Sequence, residues 1–202
     1  MLDDRLRHLK DRLLADWIAR RGLNASPTMV TGIGLFVGLA GIGLTAQGAF
    51  GWGLLLWVAN RLLDAVDGAL ARGQARQSDL GGYLDILADY VVYAGVPIAL
   101  VVALPSLERY LALALLLASF YINTVSWAYL AALLEKRARG AVARGEATSV
   151  TMPAGLIGGI ETTLFYALFL LFPARLIPLF ALMTLLVVIT VVQRLAWARR
   201  EL

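Results

Sequence analysis

The 202 residues are 60% hydrophobic, with no cysteine and a single histidine, His8. Soluble domains are about 45–50% apolar, so a chain with a mean hydropathy of +0.75 is expected to be a polytopic membrane protein. Disulfides and thiolate–metal sites are excluded, a histidine-based zinc site is disfavoured, and any metal must be held by oxygen, which suits hard cations. The net charge of +4 does not point to nucleic acid, because Lys and Arg gather in short segments between apolar runs, as in cytoplasmic membrane loops.

Residues 1–22 place Leu2, Leu6, Leu9, Leu13, Leu14, Trp17 and Ile18 at helical spacing among basic residues. This predicts an amphipathic helix lying in the membrane interface. It is too charged for a cleaved signal peptide, so the first span serves as the insertion signal. Residues 23–202 read as one all-α domain of six transmembrane helices, at about 28–46, 50–63, 83–104, 110–134, 154–172 and 176–197. The second span runs into a polar segment. In the first span, Gly34 and Gly38 form a GxxxG pair. Close packing within the chain is the expected use of this pair, and a dimer contact the weaker one.

Of the 18 Lys and Arg residues, all but Arg109 and Arg175 fall in the N-terminal segment, the loops after spans two and four, and the tail. This asymmetry puts both termini and both basic loops in the cytoplasm, and requires an even number of spans.

Asp64, Asp67, Asp85 and Asp89 lie at the cytoplasmic ends of spans two and three. Ionisable groups at membrane depth are costly and mark function by default. The spacings i, i+3 and i, i+4 put each pair on one face of its helix. If the two faces meet, four carboxylates converge and repel one another, and two divalent ions would neutralise them. Two such ions about 3.5–4 Å apart suit a phosphoryl displacement. The blander reading, helix caps or pairs with Arg61, Arg72 or Arg76, is better for one Asp than for four. Gly68 lets a ligand approach the backbone, Gly81 leaves the pocket mouth unblocked, and Arg72 could meet a phosphate.

Residues 64–89 read D-x2-D-G-x2-A-R-x8-G-x3-D-x3-D, through Asp64, Asp67, Gly68, Ala71, Arg72, Gly81, Asp85 and Asp89. This resembles the signature of the CDP-alcohol phosphotransferase family, with every fixed position filled. The resemblance implies six membrane helices behind a short interfacial helix, a cytoplasm-facing site and a homodimer. It implies two divalent ions, Mg2+ or Mn2+, on Asp64, Asp67 and Asp85. Asp89 would contribute to the second metal site and act as general base. Gly68, Ala71, Arg72 and Gly81 would line the CDP pocket. The segment SPTMVT, residues 26–31, resembles a donor-binding Pro-Asn-x-x-Thr segment; Pro27 and Thr31 match, while Thr28 stands where Asn is common.

The expected reaction moves a phosphatidyl group from CDP-diacylglycerol or a similar CDP-lipid to a small alcohol, releasing CMP, in the inner membrane of a bacterium. Lys136, Arg137, Arg139, Arg144 and Arg194 together tilt the acceptor toward a phosphorylated polyol such as glycerol 3-phosphate, with inositol phosphate or another alcohol as alternatives. Each of these residues taken alone is better read as topology-setting charge. Glu161, beside Thr162 and Thr163, either touches the acceptor or pairs with an Arg. A metal or ion transporter is the main rival, but its acids are expected near mid-membrane, not at one rim. An Asp-rich prenyltransferase needs a longer chain, and a scaffold leaves the carboxylates unexplained.

Overall fold

The computed structural model describes residues 26–73, 78–140 and 155–202. The expected interfacial helix at 1–22 and Arg144 lie outside them. Six α-helices occupy the described residues: α1 (Pro27–Ala46), α2 (Phe50–Gly73), α3 (Asp79–Ala103), α4 (Leu107–Lys136), α5 (Gly159–Leu171) and α6 (Leu176–Glu201), with a 3-10 turn at Pro173–Arg175 before α6. Four stretches are long and apolar enough to cross a membrane: α1, α3, α4, and α6 with its preceding turn. Apolar side chains face outward along them, among them Phe36 at 74% exposure and Tyr121 at 73%, as expected of a surface solvated by lipid.

The helix starts follow local chemistry. Pro27 occupies the first turn of α1, where its missing N–H costs nothing. The hydroxyls of Ser78 and Ser106 accept from the backbone N–H groups of Gly81 and Arg109, capping α3 and α4. The Ser78 cap moves the start of α3 four residues ahead of the expected Tyr83. The polar segment after Leu63 proves to be helix, and α2 continues unbroken through Asp64, Asp67 and Arg72 to Gly73.

Two helices end in the same way on different residues. After α1, the N–H of Gly48 bonds Thr45 and that of Ala49 bonds Leu44, with Gly48 at φ +83. After α4, Ala138 bonds Glu135 and Arg139 bonds Leu134, but the left-handed residue is Ala138, at φ 54. Its Cβ crowds the backbone there, whereas glycine does not. Ala138→Gly is expected to stabilise the protein by about 1 kcal/mol, read as a higher melting temperature in detergent; a lower one would contradict this.

The chain gathers into two compact units, one of residues up to 104 with 166–173, the other of 105–165 with 174–202. In the first, α1 packs on both α2 and α3. The face of α1 carrying Gly34, Gly38, Gly41 and Thr45 is buried, so the GxxxG pair serves packing within the chain. A Cβ on Gly38 would lie 2.6 Å from a methyl of Val92 on α3 and 3.2 Å from the Asn60 amide on α2. In the second unit α4 packs on α6.

The fifth expected span is shorter than the sequence suggests. Its start at 154 lies outside the described residues, and α5 begins only at Gly159 and has 13 residues. That is about 20 Å of helix against a hydrocarbon core of about 30 Å. The residues before it are held differently: the N–H groups of Leu156 and Ile157 donate to the Gln193 and Thr190 side chains of α6. Glu161 and its neighbours are used locally. The Glu161 carboxylate accepts from the Gly158 N–H at 3.0 Å, and Thr162 and Thr163 donate to the carbonyls four residues back. This polar cluster starts a helix.

Candidate metal and donor site

The site is built within the first unit, where α1, α2 and α3 meet. Helical spacing puts Asp64 and Asp67 on one face of α2 and Asp85 and Asp89 on one face of α3, and the packing of the three helices, with α1 against both α2 and α3, brings the two faces to one pocket. Thr31, Gly34, Asn60, Arg61, Asp64, Asp67, Asp85 and Asp89 line one pocket. Asp64, Asp67 and Asp85 each offer a carboxylate oxygen, all within 4.8 Å of one another. That donor set, all oxygen and anionic, fits a hard divalent cation.

Asp67 is buried, at 5% exposure, and one of its oxygens accepts from the Thr31 hydroxyl at 2.8 Å. Thr31 also reaches the carbonyl of Pro27 at 3.1 Å, so the start of α1 is tied to the carboxylate. This is where the structure places the Thr31 expected at the donor site.

Asp89 stands apart from the other three. Its Oδ1 accepts from Arg61 Nη2 at 2.7 Å, and Asp64 lies 3.9 Å from Nη1 of the same guanidinium. Arg61 also donates from Nε and Nη2 to the Asn60 side-chain oxygen, at 3.0 and 2.7 Å, and from Nη1 to the Tyr93 hydroxyl at 2.9 Å. Asn60 in turn donates to the Gly34 carbonyl at 2.8 Å. The guanidinium carbon lies 5.0 Å from the ring centres of both Trp57 and Tyr93, a cation–π arrangement.

From the sequence, Arg61 is one of the topology-setting basic residues and a neutralising partner for an Asp. A signal for more was present: Trp57, Arg61 and Asp64 share a face of α2 at i, i+4 and i+7, and Tyr93 follows Asp89 by one turn of α3.

The remaining expected residues are distributed as follows. Gly68 sits under the Arg72 guanidinium, whose Nη1 would lie 3.2 Å from a Cβ at that position. Arg72 is exposed and Ala71 half-buried. Gly81 lies in the capped first turn of α3. The expected acceptor residues belong to the second unit. Lys136, Arg137 and Arg139 are exposed at the end of α4. Arg137 and Arg139 donate to the carbonyls of Leu202 and Glu201 at the end of α6, where cations are favoured. Arg194 is buried and donates to Asn123 Oδ1 at 2.7 Å and Ser126 Oγ at 2.6 Å on α4.

With this geometry in view, residues 24–194 match the family model described as CDP-alcohol phosphatidyltransferase. The chain belongs to the CDP-alcohol phosphatidyltransferase family. It is accordingly a transferase. It is 35% identical over 149 residues to the inner membrane protein YnjF of Escherichia coli K12, covering 74% of this chain and 71% of that one. Two crystal structures of the phosphatidylinositol phosphate synthase PgsA1 of Mycobacterium tuberculosis share its fold. The one with CDP-DAG bound has a TM-score of 0.67 at 22% identity, covering 95% of this chain and 94% of the other. The one in complex with manganese and citrate has a TM-score of 0.66 at 24% identity, covering 93% and 88%.

Proposed function

We propose that this family member transfers a phosphatidyl group from CDP-diacylglycerol, or a similar CDP-lipid, to the hydroxyl of a small alcohol and releases CMP. The observation that carries the proposal is the meeting of Asp64, Asp67 and Asp85 in one pocket with Thr31 and Asp89. Two divalent ions, Mg2+ or Mn2+, held by these carboxylates would bind the donor diphosphate and stabilise charge on the departing CMP. Thr31 fixes the Asp67 carboxylate. Gly68, Ala71, Arg72 and Gly81 would line the CDP pocket. Asp89 accepts the proton of the acceptor hydroxyl as its oxygen attacks the lipid-side phosphorus and the bond to CMP breaks. Positioning and electrostatics supply most of the acceleration. The manganese complex and the CDP-DAG complex of the Mycobacterium tuberculosis enzyme support the metal and the donor.

The acceptor is a phosphorylated polyol. Glycerol 3-phosphate is the first reading; inositol phosphate is the second, favoured by the name of the neighbouring synthase. Lys136, Arg137, Arg139 and Arg194 are the basic residues offered for its phosphate. The chain is a homodimer in a bacterial inner membrane, the location named for YnjF. It has a single catalytic domain of six spans, an interfacial helix at 1–22, and its site and both termini on the cytoplasmic side, as the basic loops require.

Purified protein with CDP-diacylglycerol and a panel of acceptors is expected to release CMP with one of them, and EDTA is expected to abolish that release. Release unaffected by EDTA would refute the metal site. No release with any acceptor would refute this donor.

A further inference from the structure

We propose that Arg61 is the positioning residue for Asp89: its guanidinium, packed against the edge-to-face pair of Trp57 and Tyr93 rings, fixes the orientation of the base carboxylate. The inference rests on the reading of Asp89 as the general base.

Three observations carry it. First, Arg61 is fixed to a degree that a simple ion pair does not need. Nε, Nη1 and Nη2 are all engaged, on Asn60, Tyr93 and Asp89, and the side chain is only 10% exposed. Second, the two rings are themselves braced. Tyr166 stacks on Trp57 with ring centres 4.9 Å apart and meets Tyr93 edge-on at 5.4 Å, and its hydroxyl donates to the Tyr93 carbonyl. Third, Asp89 is the one carboxylate of the four outside the mutually close set, and Arg61 is what it bonds, at 2.7 Å.

A planar fork that also stacks on rings can do this, and a lysine cannot. A carboxylate held in one orientation meets the incoming hydroxyl already aligned, and misplacement by about 1 Å can cost about a hundredfold in rate. The arrangement also runs from Gly34 of α1 through Asn60 and Arg61 of α2 to Asp89 of α3, so helix packing and base orientation are one structure.

The test uses full-length protein in detergent, with kcat, KM for CDP-diacylglycerol and direct Mn2+ binding measured for Arg61→Gln, Arg61→Lys, Tyr93→Phe and Asp89→Asn. Arg61→Gln is expected to lower kcat about 100-fold while leaving donor KM and Mn2+ affinity within about threefold. Arg61→Lys is expected to recover no more than about tenfold of that loss. Tyr93→Phe keeps the ring and drops one hydrogen bond, and is expected to lower kcat about three- to tenfold; it carries the test if the Arg61 variants do not fold. Wild-type kcat in Arg61→Gln, or in Tyr93→Phe where that variant carries the test, with Asp89→Asn inactive, would overturn the positioning role and leave the base intact. Full activity in Asp89→Asn would overturn the base reading itself. Loss of Mn2+ binding together with kcat in Arg61→Gln would also overturn the inference, since Arg61 would then be holding the whole pocket.

Discussion

Asp89→Asn is expected to lower turnover by about two to four orders of magnitude, the usual worth of a general base, without unfolding the protein. The substitution keeps size and shape. The asparagine oxygen can still accept from Arg61 Nη2, now 2.7 Å from the carboxylate, and Arg61 keeps its bonds to Asn60 and Tyr93. What disappears is the ability to take a proton from the acceptor. CMP release and the melting temperature measured on the same preparation separate these effects. A protein that melts as wild type and turns over as wild type would remove Asp89 from the chemistry.

A large effect on stability is expected at Gly38. A single added carbon there would sit 2.6 Å from a Val92 methyl. Val92 is β-branched and 1% exposed, so it has neither a free rotamer nor space to retreat into. Gly38→Leu is therefore expected to destabilise by about 3 kcal/mol, at the upper end for overpacking. Gly43 lies on the same helix with nothing within 4 Å of an added Cβ. Gly43→Ala should be neutral or stabilising by up to about 1 kcal/mol. Equal melting temperatures for the two variants would mean that α1 does not pack as described. Activity should fall with Gly38→Leu as well, because α1 carries Thr31 to Asp67 and Gly34 to Asn60.

The carboxylates were legible because helical spacing is local: i, i+3 and i, i+4 pairs share a face in any helix. The Ser caps and the basic loops are local for the same reason. Arg61 was not legible as a central element, because its role depends on Tyr93, thirty-two residues on, and on Tyr166, which stacks against Trp57. The basic residues beyond the motif show the converse. Charge alone grouped Lys136, Arg137, Arg139 and Arg194. Contacts separate them, with Arg137 and Arg139 on the last carbonyls of α6 and Arg194 buried on Asn123 and Ser126. Glu161 was expected on the acceptor or on an Arg; the structure shows it accepting from the Gly158 N–H at the start of α5.

From the sequence alone came the all-helical membrane class, the family, the four Asp residues and the oxygen-only character of any metal site. All of these rest on composition, on the period of a helix, or on residue spacing within one segment. Tertiary structure alone decided that Asp64, Asp67 and Asp85 form a set without Asp89, that Arg61 bonds Asp89 while packing against the Trp57 and Tyr93 rings, and that the glycine face of α1 is spent on α2 and α3. Those outcomes depend on how closely three helices approach one another, and that distance is set by side chains far apart in the chain.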